Sequence, residues 1–141
     1  DDWSVGRSYW TTDLRIPSGA ILSLPFTSNA IGQAGIVEIT NNMPGLNATG
    51  MFWHGWFSPI PGGDLVEDYS YCRSYSHNPN PQQLKWNQIQ SEEWECHLGT
   101  TEQTLYFNME VRCFEKLSNL CTPGERYPDD YYVGVSARPM D

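Results

Sequence analysis

The chain has 141 residues, a formal net charge of −9, 39% hydrophobic residues and 13% aromatic residues. That length suits one domain around one core, and the acidity excludes nucleic acid or an anionic membrane surface as partner, since both demand a basic face. No apolar run approaches the roughly 18 residues of a transmembrane helix, and the greasiest stretch, 20–26, is broken by Ser23 and Pro25.

Ten prolines and twelve glycines punctuate short segments, the pattern of an all-β chain. Strands are predicted over 3–10, 20–26, 35–40, 51–58, 83–86, 93–98, 104–114 and 131–137. In the first, Trp3, Val5 and Tyr9 alternate like a strand. The fourth contains MFWHGWF. One of its faces carries Met51, Trp53, Gly55 and Phe57, and the other carries Phe52, His54 and Trp56. A strand with one wet face alternates apolar with polar, so this second face needs a cover or a ligand. The cover is expected from the 59–82 loop or from a partner. That loop is polar and irregular and holds Tyr69, Tyr71 and Tyr75.

Segments 93–98 and 104–114 are expected to pair as a hairpin. Leu98 opposes Leu105, Cys96 opposes Phe107 and Trp94 opposes Met109, all facing the core. His97, Glu95 and Glu93 then face water opposite Tyr106, Asn108 and Glu110, because opposed residues of an antiparallel pair share a face. A short helical turn is expected at most over 114–120. About eight short strands predict an antiparallel β-sandwich or jelly roll, as one domain over 1–141.

The four cysteines are Cys72, Cys96, Cys113 and Cys121, with no C-x-x-C pair and no zinc-ribbon spacing. An even number in a small Tyr/Trp-rich chain predicts two disulfides and an oxidising compartment. Three connectivities exist. Cys113–Cys121 would close a short loop just past a strand, which favours that pair together with Cys72–Cys96. The chain starts at Asp1 rather than Met, and is expected to be a mature secreted chain whose leader has been removed. Its place is extracellular or at a cell surface, with the periplasm as the other oxidising option. Asn47-Ala48-Thr49 is a glycosylation sequon, relevant only in a eukaryotic secretory pathway.

Signals of catalysis are absent. His54, His77 and His97 lie far apart, and there is no G-x-S-x-G and no Gly-rich phosphate loop. With all four thiols assigned to bridges, no cysteine nucleophile remains. The expectation is no enzyme and no cofactor other than calcium. Calcium prefers several carboxylate oxygens on loops, and Asp64, Glu67 and Asp68, next to Pro61-Gly62-Gly63, are the candidate ligands.

One run carries a resemblance: Ser58-Pro59-Ile60-Pro61-Gly62-Gly63, then Cys72, then Leu84-Lys85-Trp86, then Cys96-His97-Leu98, then Tyr106-Phe107-Asn108. It resembles a pattern of uncharacterised secreted bacterial β-sandwich proteins, in which a Pro-Gly turn, a cysteine, an apolar-Trp strand, Cys-x-Leu and aromatic-aromatic-Asn follow one another. The resemblance spans about a third of the chain. It implies a secreted β-domain with Cys72 paired to Cys96, and it implies no activity or site. Ile60 stands where those proteins often have a further cysteine.

Function is expected to follow the aromatics. Exposed Trp and Tyr stack on sugar rings or anchor protein contacts. The expected ligand-binding set is Phe52, His54, Trp56, Tyr69, Tyr71 and Tyr75, on a non-catalytic domain that binds a carbohydrate or acts as an adhesin. The alternative is a structural subunit of an extracellular filament or pilus-like assembly, with Asp1 to Thr12 in the subunit contact. The partner is accordingly a glycan, a neighbouring subunit or a second copy of the chain, without membrane insertion.

Overall fold

Short apolar-alternating segments separated by Pro and Gly turns give ten strands and no helix among the residues that the computed structural model describes, which are 3–4, 9–28, 34–41, 51–63, 72–76, 82–87, 96–97, 103–113, 122 and 124–140. In chain order the strands are β1 (Trp3–Ser4), β2 (Tyr9–Ile16), β3 (Leu22–Ser28), β4 (Ala34–Asn41), β5 (Met51–Ser58), β6 (Arg73–Ser76), β7 (Gln82–Asn87), β8 (Cys96–His97), β9 (Gln103–Cys113) and β10 (Tyr131–Met140). Two sheets form, in the orders β1-β3-β9-β5-β6 and β2-β10-β4-β7-β8. Each consists of four antiparallel strands with a two-residue parallel strand, β1 or β8, added at one edge. No helix among the described residues is long and apolar enough to cross a membrane.

The sheets pack face to face as a β-sandwich. Phe26 of β3, Trp53 and Phe57 of β5, and Leu105, Phe107, Met109 and Val111 of β9 supply one inner face. Val37 and Ile39 of β4, Leu84 and Trp86 of β7, and Val133, Val135 and Ala137 of β10 supply the other. Aromatic edges cross between the layers. Phe26 meets Trp86 at 5.3 Å and 64°, and Trp53 meets Tyr131 at 6.0 Å and 73°, the tilted geometries that aromatic quadrupoles favour. Gly55 sits on this inner face, where a Cβ would fall 2.8 Å from Phe107 Cζ and 3.0 Å from Ile39 Cδ1. The glycine of MFWHGWF is therefore a packing requirement, because the two sheets meet over its Cα.

Cys72, just ahead of β6, is bonded to Cys96 in β8, and both are fully buried. The bridge ties one edge of the first sheet to the corresponding edge of the second. Phe57 N–H donates to Cys72 O at 3.0 Å, which holds the cysteine's backbone against β5. This is the one disulfide seen among the described residues. Cys113 is not a free thiol, and Cys121, its expected partner, lies outside those residues. The 114–120 turn lies outside them as well.

Several expectations need correction. The predicted 3–10 strand is divided between β1 and β2, which belong to different sheets. The described residues form ten strands rather than eight. The additional β6 has the sequence RSYS, which shows no apolar alternation because an edge strand needs only backbone pairing with β5. The 93–98/104–114 hairpin does not form. β8 runs parallel to β7 with Cys96 beside Trp86, while β9 lies between β3 and β5 in the other sheet. Alternation fixes which side of a strand faces the core, and strands in facing sheets satisfy that condition as well as strands in one sheet.

The bridge closes a loop with a sequence separation of 24 residues. The double variant Cys72→Ala/Cys96→Ala is expected to lose about 3 kcal/mol of unfolding free energy, read as a lower midpoint in denaturant titrations.

Candidate functional site

His54 and Trp56 of β5 and Asn108 and Glu110 of β9 point away from the core, and register brings them into direct opposition. Trp56 lies across from Asn108, and His54 across from Glu110. Alternation alone predicts that this face of β9 is wet. Instead Asn108 is fully buried and Glu110 only 5% exposed, because two segments fold over the face.

The first cover is the turn at 59–63. Ser58 Oγ donates to Ile60 O at 2.5 Å, and Gly63 N–H donates to Ile60 O at 3.0 Å. Gly62 takes φ 67°, the left-handed region that suits glycine. Asn108 anchors this turn. Its Oδ1 accepts from Gly62 N–H at 2.8 Å and from Ser23 Oγ at 2.6 Å. Its Nδ2 donates to Ser58 Oγ at 2.8 Å and Trp56 O at 3.2 Å. Trp56 Nε1 donates to Gly63 O at 2.7 Å, so the indole lies under the turn.

The second cover is 124–127. The pairing of β3 with β9 reaches Met109, and beyond it 124–127 runs along β9. Tyr127 N–H donates to Val111 O and Cys113 N–H to Glu125 O, both at 2.9 Å. A bridge pairs Arg112 with Arg126. Both guanidinium groups converge on one carboxylate: Arg112 Nε and Arg126 Nε donate to Glu110 Oε1 at 3.0 and 2.9 Å. Arg112 Nη1 also donates to Gly124 O at 2.6 Å. The other carboxylate oxygen, Oε2, accepts from His54 Nδ1 at 2.9 Å. The His54 ring stacks on Trp56 with centroids 4.4 Å apart and planes 19° from parallel.

Burial would raise the pKa of Glu110. The hydrogen bonds from His54 and Arg126 and the charge of Arg112 outweigh it and lower the value from the usual 4.5 to about 2. The carboxylate is therefore ionised at neutral pH and weakly basic.

A cavity of about 230 Å³ opens between the two covers. The His54–Trp56 stack and Ile21 form its apolar walls, the Gly62–Gly63 turn closes one side, and Glu110, Arg112 and Arg126 form the charged side. Such a surface can donate several N–H groups to an oxygen-rich ligand while covering an apolar face of it.

His54 and Trp56 of the expected binding set meet at this cavity. Trp56, expected to be covered by the 59–82 loop or by a partner, is 5% exposed beneath the 59–63 turn. The backbone of Phe52 pairs with Arg112 and that of Tyr75 with His54, while their side chains lie outside the described residues. Tyr69, Tyr71, Asn47 and the calcium candidates Asp64, Glu67 and Asp68 also lie outside them. Among the described residues no group of three or more His, Cys, Asp or Glu gathers to hold a metal ion. Sequence reasoning missed Asn108, Glu110, Arg112 and Arg126. The available signal was Asn108-x-Glu110-x-Arg112, three hydrogen-bonding side chains on one face of a long strand.

Because its folded pKa is depressed, Glu110 contributes stability that is fully present above pH 4.5 and lost as pH falls through about 2. Glu110→Gln lacks this titration. Between pH 5 and 2 the wild type is expected to lose up to about 3 kcal/mol more than the variant, measured by chemical unfolding at each pH.

Compared with known proteins, the chain matches no family model, no curated protein and no solved structure.

Proposed function

We propose that this chain is a non-catalytic extracellular binding domain and that the cavity over β5 and β9 holds a sugar residue. The observation that carries this reading is the cavity of about 230 Å³, with an aromatic stack on one side and two fixed arginines on the other. A sugar has an apolar C–H face and a rim of hydroxyl oxygens. The C–H face rests on the His54–Trp56 wall, and the hydroxyls accept from Arg112 and Arg126. Such sites pair apolar walls with a few placed polar groups.

The chemistry of Glu110 supports binding over catalysis. A general base works best with a pKa near the operating pH, and this carboxylate at about 2 already accepts from three side chains. The Cys72–Cys96 disulfide supports an oxidising compartment.

Ile21 is half-buried and lines the cavity, so Ile21→Trp fills the space while every residue of the charged cluster is retained. Titration calorimetry with a panel of monosaccharides is expected to detect binding to the wild type and at least about tenfold weaker binding to the variant, at unchanged melting temperature. Absence of saccharide binding by the wild type, or binding indifferent to Ile21→Trp, overturns the reading.

A second reading is favoured by the sheet edges. β1 lies at the edge of the first sheet, and β2, which begins within residues 1–12, at the edge of the second. Edge strands offer backbone groups that another chain can pair, as a subunit of an extracellular filament or pilus-like assembly would. Light scattering on the native protein distinguishes the two: a monomer at all concentrations favours the binding domain, and concentration-dependent polymers favour the subunit.

A further inference from the structure

We propose that the cavity selects an acidic sugar, a uronic acid whose carboxylate lies against Arg112 and Arg126. This proposal rests on the saccharide reading above and specifies its ligand.

The first argument is charge. The chain carries −9, yet among the described residues the walls of this cavity hold two guanidinium groups against one carboxylate. Among these described residues one positive charge remains after Glu110 is counted. A monoanion balances it, whereas a dianion such as a phosphate ester would place excess negative charge beside Glu110.

The second argument is donor geometry. A guanidinium carries five N–H donors in a planar fork. Glu110 takes Nε from each arginine, and Gly124 O takes Nη1 of Arg112. Both side chains remain about one-third exposed, at 32% and 34%, and both line the cavity. With both Nε groups taken by Glu110, their Nη groups are the donors left to offer an occupant. A planar carboxylate is the anion that a guanidinium fork matches with two parallel bonds. Glu110 also keeps the two cations together, where they would otherwise repel each other.

The third argument is the opposite wall. A bare carboxylate such as acetate would leave the His54–Trp56 stack and Ile21 uncovered, and a ring carrying the carboxylate would cover them. At about 230 Å³ the space lies below the roughly 300–1,000 Å³ of pockets for drug-sized ligands, which suits one ring.

The test is calorimetric titration of the wild-type chain with glucuronate, galacturonate, glucose, galactose, a sulfated monosaccharide and acetate, at low and raised salt. A uronate is expected to bind at least about tenfold tighter than its neutral counterpart, with the advantage shrinking in salt. Arg126→Gln is expected to remove most of that advantage. Equal binding of uronate and neutral sugar overturns the acidic specificity and leaves the saccharide reading intact. A sulfated sugar that binds tighter than the uronates overturns the carboxylate assignment. Acetate binding as tightly as a uronate overturns the role of the ring. Binding of no sugar at all overturns the saccharide reading and this proposal with it. The uronate-to-neutral contrast is measured on the wild type, so the proposal remains testable even if Arg126→Gln does not fold.

Discussion

A carboxylate that is only 5% exposed requires cations and donors around it, and the outer side of the first sheet is organised by that requirement. Removing an ionised carboxylate from water costs several kcal/mol unless its oxygens are paired. Glu110 draws its partners from three places: His54 from the opposed residue of β5, Arg112 from two positions along β9, and Arg126 from the segment that extends the sheet past Met109. Each partner stands where backbone pairing has already put it. The register of β5 with β9 sets the His54 contact, and the bonds from Tyr127 to Val111 and from Cys113 to Glu125 set the Arg126 contact. The ion cluster and the sheet therefore reinforce each other, and loosening either exposes the other.

Asn108 has the corresponding role two residues earlier on the same face of β9. It is neutral, and the amide can satisfy both of its functions at once. Its oxygen holds β3 and the 59–63 turn, and its nitrogen holds the end of β5. Residues two apart on a strand lie roughly 7 Å from each other on the same face. Asn108 and Glu110 thus fasten two separate covers that nearly meet. The cavity is the gap between them, and it is preformed because each rim is bonded to the strand beneath. That geometry explains why a pocket lies on the face of a sheet, a surface that is otherwise flat.

Much of the sandwich was legible in the sequence, and the site was mostly not. Strands over 51–58, 104–114 and 131–137 could be read because apolar side chains recur every second residue where one face meets a core. The site depends on pairing between strands far apart in sequence. Nothing local shows that His54 will oppose Glu110 or that 124–127 will lie against Val111 and Cys113. The failed 93–98/104–114 hairpin has the same origin: parity was readable, and sheet membership was not. The buried face of β9 misled for a further reason. Asn, Glu and Arg at alternate positions normally mark solvent, and they mark an interior only when donors and acceptors arrive from elsewhere in the chain to complete them.

MFWHGWF shows both kinds of information in one strand. Trp53 and Phe57 are ordinary core, with Gly55 left bare so that Phe107 and Ile39 can close over it. His54 and Trp56 break the alternation because they serve the polar cluster. A histidine that must present Nδ1 to Glu110 gains from having its ring plane fixed. Trp56 stacks against that ring, and Gly63 O fixes the indole in turn. The aromatics that look from sequence like a binding platform thus act first as supports, each orienting the next toward the carboxylate. What they leave for a ligand is one wall of a pocket whose polarity is set by arginines that the aromatic pattern gave no reason to notice.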